Sequence, residues 1–170
     1  MIKSFRQFFG RRDPRQDASY ALARLLSQMD LQEMPFSHGL QKTRRLDSTR
    51  YVAQGVWLMP LGVDQKPEHA NFDIAMPAVT SDLRRFGVGL MMPLRLPSPR
   101  VLLAVADTED CWKFFVCSVR HTSPRPGHWF QIGLGVEGIW DPEPLQMAHF
   151  RNRIHDVFQT IGSQTQAEPE

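Results

Sequence analysis

Cysteine is nearly absent: the 170-residue chain holds only Cys111 and Cys117. They stand six apart in one apolar segment, so a strand would put them on one face, too far apart along it to be bridged. A disulfide framework is excluded, and both are expected as reduced thiols serving as small apolar filler in a reducing compartment, the cytoplasm. No run of about 18 apolar residues occurs, which excludes a spanning helix. The N-terminal MIKSFRQFFGRR is positive but lacks the unbroken apolar stretch of a secretory signal. Net charge is only +2, too small for a bulk binder of nucleic-acid polymers, although the basic residues cluster.

Catalytic and metal motifs are missing as well. His38, His69, His121, His128, His149 and His155 form no metal spacing with the cysteines, and the two thiols have no CxxC geometry. There is no GxSxG elbow, no GxxxxGK[ST] loop, and no GxGxxG opening a helix after a strand. Phe86-Gly87-Val88-Gly89 is a bare GxG that leads into a strand. These absences point away from an enzyme, a metalloprotein or a cofactor carrier.

What is present is turn chemistry. Thirteen prolines and eleven glycines lie mostly between short apolar runs. Residues 52–61, 72–81, 88–96, 101–106, 112–120 and 129–136 read as six strands, bounded by segments such as Pro60-x-Gly62, Pro97-x-Pro99 and Ser123 to Gly127. The last shows the clearest period of two, with Phe130, Ile132, Leu134 and Val136 on one face and Gln131, Gly133 and Gly135 on the other. Six short strands without βαβ alternation predict a sandwich or a closed barrel.

Helical text flanks the strands. Residues 1–15 carry Lys3, Arg6, Arg11, Arg12 and Arg15 against Asp13, with Ile2, Phe5, Phe8 and Phe9 at near-helical spacing. This basic amphipathic segment either docks on a membrane surface or partner, or packs on its own domain. Asp17 is a candidate cap for a helix through about Met29, whose stripe of Ala18, Leu22, Leu25, Leu26 and Met29 suits packing on the barrel or on a second copy of the chain. After Trp140, Met147, Phe150, Ile154, Val157, Phe158 and Ile161 form another stripe, started by Asp141-Pro142 and stopped by Gly162. This helix is expected against the barrel, where it could close one end.

Two basic or acidic stretches carry the chemistry. Arg44, Arg45 and Arg50 stand just before the first strand and offer forked donors that match phosphate oxygens and stack on bases. Asp82, Arg84 and Gly87 lie in Val79 to Leu94, read as two antiparallel strands around a tight turn. Asp82 is either a partner for guanidinium groups and guanine edges or an ordinary turn aspartate bonding backbone N–H groups. Gly87 reads as a turn residue with positive φ.

The pattern Asp82-x-Arg84-x-x-Gly87 resembles the aspartate-x-serine-x-x-glycine signature of PilZ domains, small bacterial β-barrels of which many bind cyclic di-GMP. Such domains also carry an arginine-x-x-x-arginine motif at the mouth of the first strand. In this chain Arg84 replaces the serine, four residues separate Arg45 from Arg50, and five separate Arg44 from Arg50. A strict arginine-x-x-x-arginine occurs as Arg11 and Arg15, upstream of the first helix.

The resemblance implies a mainly β fold: a six-stranded antiparallel barrel with an N-terminal helical extension and a C-terminal helix. Residues 1–40 read as the basic arm and helix, 41–162 as the barrel with its helix, and 163–170 as a disordered tail. It further implies a cytoplasmic regulatory protein, not an enzyme, whose Arg44, Arg45 and Arg50 fold over cyclic di-GMP above Asp82, Arg84 and Gly87. Ordering that loop would change the surface offered to a protein partner. The alternative is a protein-interaction module that has lost nucleotide binding, favoured by Arg84 and the stretched arginine spacing. A third reading, an oligonucleotide-binding barrel stacking bases on Trp57, Trp112 or Trp129, is opposed by the near-neutral charge.

Overall fold

The computed structural model describes residues 13–28, 53–108 and 111–165. Six strands form a closed antiparallel barrel in the order β1-β2-β3-β6-β5-β4. They are β1 (Gly55–Leu61), β2 (Met76–Arg84), β3 (Gly87–Met92), β4 (Arg100–Thr108), β5 (Cys111–Arg125) and β6 (Trp129–Trp140). Helix α1 (Pro14–Gln28) precedes the barrel and α2 (Pro144–Thr165) follows it. This is the mainly β architecture expected from the sequence. Among the described residues no helix is long and apolar enough to cross a membrane.

The boundaries shift for local reasons. Phe72–Ile74 is a single 3-10 turn rather than the start of a strand, capped by the Asn71 side chain accepting from the Asp73 backbone N–H. Strand β2 begins later and runs on through Asp82 to Arg84, so the hairpin turn shrinks to Arg85 and Phe86. The first helix is capped by Asp13, not Asp17: the Arg15 N–H donates to Asp13 Oδ1 at 3.0 Å, and Pro14 takes the first helical position. Gly162 does not stop α2, which continues through it to Thr165.

Two apolar clusters hold the molecule together, one inside the barrel and one outside. Val56, Leu58, Leu90, Val101, Leu103, Phe115, Cys117, Ile132 and Leu134 fill the interior, joined by Ala18 and Leu22 of α1. Helix α1 lies along β6 and completes this core, with Ala18 and Leu22 of its stripe packed on the barrel. Met29, the last member of that stripe, lies outside the described residues. The outer cluster is Trp57, Met59, Leu102, Ala104, Phe114 and Val116 from β1, β4 and β5, covered by Phe72, Phe150 and Ile154. Helix α2 therefore roofs the outer face of the barrel, and it is α1 that reaches the interior. Strands with apolar neighbours on both faces lose alternation, which is why Val101 to Val105 is one unbroken buried run. Trp57 and Trp112 belong under this roof, edge-on to Phe158 and Phe150, and are no stacking platforms.

The two thiols stand apart as expected, both free, Cys111 exposed and Cys117 buried in the interior. Burial, reinforced by the charge of Glu137, pushes the Cys117 thiol well above its ordinary range and disfavours the reactive thiolate. One thiol per chain is therefore expected to react with a thiol reagent in the native protein, and two in denaturant. Rapid native reaction of both would mean that the interior cluster opens.

Candidate functional site

Away from the roof of α2, the outer surface of β2, β3, β6 and the second half of β5 carries an open groove bordered by the start of α1. Its side chains follow from register. Strands β2 and β3 pair Asp82 with Gly89 and Arg84 with Gly87, after a bulge at Ser81. Asp82 is thus inside a strand, not at a turn. It is 6% exposed, a rare position for a carboxylate unless it is paired. Arg84 Nε donates to its Oδ1 at 2.9 Å, and Ser81 Oγ donates to Oδ2 at 3.1 Å.

Strand β3 then pairs with β6 so that Gly87 faces Gly135 and Gly89 faces Gly133. Four glycines on two neighbouring strands leave a floor without side chains. The role expected for Gly87 is corrected here: the positive-φ residues among those described are Gly127 and His128. Gly87 is needed for close approach instead, because a Cβ there would stand 2.8 Å from the Leu134 carbonyl oxygen. At Gly89 a Cβ would stand 2.0 Å from Asp82 Oδ2, so the buried carboxylate lies flat on the glycine.

The far side of the floor comes from β5. Its pairing with β6 slips between Val119 and His121, a bulge at Arg120 that sends Arg120 and His121 to the outer surface together. His121 lies over Gly133 and Arg120 over Gly135, with ring and guanidinium atoms 2.0 Å and 2.4 Å from where a Cβ would be.

These residues line one open groove of roughly 820 Å³, together with Phe86, Gln131 and, from the start of α1, Asp13 and Arg15. Arginines 15, 84 and 120 face aspartates 13 and 82, and the Asp82 charge is already met by Arg84. Arg15 and Arg120 then outnumber Asp13, which leaves the lining with a small excess of positive charge. Arg85 lies over the ring of Phe86 at 5.0 Å, beside the groove. Among the described residues no three metal-ligating side chains come together.

Of the residues expected from sequence, Asp82, Arg84 and Gly87 meet in this groove. Arg44, Arg45 and Arg50 lie outside the described residues, as do the basic arm through Arg12 and the tail from 166 onward. Arg15, which the sequence places upstream of the first helix, is the second residue of α1 and lines the groove. Arg120, His121, Gly89, Gly133 and Gly135 were also missed as site residues. A signal for the glycines was present: both strands read glycine-x-glycine, a spacing of two that strips one face of side chains.

No family model matches the chain, and no curated protein matches it. Among solved structures, the chain is similar to the inhibitor of motility (MotI/DgrA) of Bacillus subtilis, at 15% identity and a TM-score of 0.39, over 74% of this chain and 57% of that one. It is also similar to YcgR of Escherichia coli in complex with c-di-GMP, at 12% identity and a TM-score of 0.38, over 72% of this chain and 50% of that one. Against the PilZ domain of YcgR with c-di-GMP, the values are 12% and 0.35, over 74% of this chain and 99% of that one. The match thus spans 57% and 50% of the length of the first two proteins.

Proposed function

We propose that this chain is a regulatory binding domain of PilZ type that takes cyclic di-GMP in the glycine-floored groove, without catalysing its turnover. The observation that carries the reading is the meeting of Asp82, Arg84 and Gly87 with Arg15 around one cavity of roughly 820 Å³. That volume lies in the range of small-ligand sites. Guanidinium groups recognise phosphate by paired, charge-assisted hydrogen bonds, and they stack on planar bases. Among the described residues the floor is open at Gly87, where a flat ligand can approach the backbone. Arg44, Arg45 and Arg50, just upstream of β1, are proposed to fold over the ligand and to change the surface met by a protein partner.

A second reading, an interaction module without nucleotide binding, is favoured by one contact. Both Asp82 oxygens are taken up inside the protein, by Arg84 and Ser81. A carboxylate so occupied has less to offer a guanine edge. The two readings separate on Arg84→Ser, which restores the residue of the resembled motif. With cyclic di-GMP titrated into the full chain by calorimetry, the wild type is expected to bind at micromolar affinity or tighter, more weakly in added salt. Arg84→Ser is expected to weaken binding by about 1.5–3 kcal/mol, the loss of hydrogen bonds to a charged group. Tighter binding by the Ser variant would show that Arg84 plugs the groove, and silence from both proteins at millimolar ligand would leave the interaction module.

A further inference from the structure

Among the described residues, one patch of the groove floor is uncovered. Gly89 lies under Asp82, Gly133 under His121 and Gly135 under Arg120. Above Gly87, apart from its chain neighbours, the one atom of the described residues within 4 Å of a Cβ position is the backbone oxygen of Leu134. The strands beside Gly87 set what surrounds that patch. Its partner on β2 is Arg84, and its partner on β6 is Gly135, the glycine on which Arg120 lies. Neighbouring strands are about 4.8 Å apart, so the Arg84 backbone on one side and Gly135, with the Arg120 guanidinium over it, on the other each stand about one strand spacing from the patch.

The two arginines are unequal. Arg84 spends Nε on Asp82, and its terminal nitrogens make no hydrogen bond among the described residues. Arg120 makes no hydrogen bond or ion pair among the described residues. Its place on the groove needs two departures from a regular sheet. One is the bulge that turns it outward beside His121, and the other is a glycine at 135 that lets it lie flat. A glycine inside a strand weakens it, for want of a side chain to pack. A solvated surface arginine would require neither.

We infer that Arg120 is a ligand-contact residue that, with Arg84, clamps one phosphate-type anion above Gly87. This rests on the groove being a site for an anionic ligand, and it adds to the Asp82–Gly87 segment a contact from the opposite strand. The anion is either a phosphodiester of a cyclic dinucleotide or a free phosphate group, and the experiment separates these sources.

The full chain is titrated with cyclic di-GMP and, separately, with inorganic pyrophosphate. Arg120→Ala, Gly135→Ala and, as a charge control, Arg95→Ala are measured beside the wild type. Arg95 is exposed and does not line the groove. Arg120→Ala is expected to weaken binding roughly ten- to a hundredfold, as loss of a charged hydrogen-bond donor does. Gly135→Ala, which keeps every charge but lifts Arg120 off the floor, is expected to weaken it in the same direction, and Arg95→Ala to leave it within twofold. Equal affinity of the wild type and Arg120→Ala for cyclic di-GMP overturns the clamp while the proposed function stands. Binding of pyrophosphate alone, lost in Arg120→Ala, supports the clamp and rejects the dinucleotide. No binding of either probe by the wild type overturns both.

Discussion

Phe150→Ala is expected to lower stability by about 3–5 kcal/mol, the cost of emptying a well-packed aromatic site. The Phe150 side chain has no solvent exposure. Its ring lies 5.0 Å from Phe114, 5.2 Å from Trp112 and 6.0 Å from Phe72, each edge-on. Three such neighbours fix the cavity walls from β5 and from the 72–75 turn, so the site has little freedom to collapse. Because α2 has no other fully buried side chain among those described, the loss is concentrated where the helix is held. For a chain of this length the melting temperature should fall by about 10 °C or more. Leu145→Ala on the same helix, 83% exposed, should change stability by no more than about 0.5 kcal/mol. A Phe150→Ala protein that melts within 2–3 °C of the wild type would show that α2 is dispensable to the fold.

Gly89→Ala is expected to cost about 2–4 kcal/mol and to abolish ligand binding, although it adds a single methyl group. The new Cβ would stand 2.0 Å from Asp82 Oδ2, 2.6 Å from its Cγ and 2.7 Å from Ser81 Oγ. Either the carboxylate leaves its place, losing Arg84 and Ser81, or β3 moves away from β2. Stranding a buried charge or breaking its pair is among the largest single-site penalties. Asp82→Ala in the same chain removes the obstacle. The double variant should therefore be more stable than the two single losses added together, a coupling read from a double-mutant cycle. Gly55→Ala makes the contrast: no atom of the described residues lies within 4 Å of a Cβ there, so alanine should be neutral or slightly stabilising. Strict additivity of Asp82→Ala and Gly89→Ala would mean that the carboxylate does not rest on Gly89.

Periodicity and turn residues were enough to read six strands, two helices and the mainly β class, because those patterns report which residues face a core. The clear alternation of β6 survived into the structure residue by residue, from Phe130 to Val136. Less was legible where local signals served a distant partner. Phe72 looks like strand text, but its aromatic ring is there to meet Trp140 and Phe150 from outside the barrel. Asp82 looks like a turn residue because aspartate usually is one; a bulge and the guanidinium of Arg84 are what allow it to be buried within a strand.

By itself, then, the sequence determined the element types, the unbridged cysteines and the Asp82-x-Arg84-x-x-Gly87 segment. Each of these depends on neighbours in the chain. The tertiary structure decided that Arg15, Arg84, Arg120 and His121 share one groove, and that the glycines of β3 and β6 make its floor. That arrangement depends on barrel closure, on a bulge at Arg120 and on α1 lying along β6. It joins residues more than a hundred positions apart, and no spacing along the chain can encode a meeting fixed by strand register.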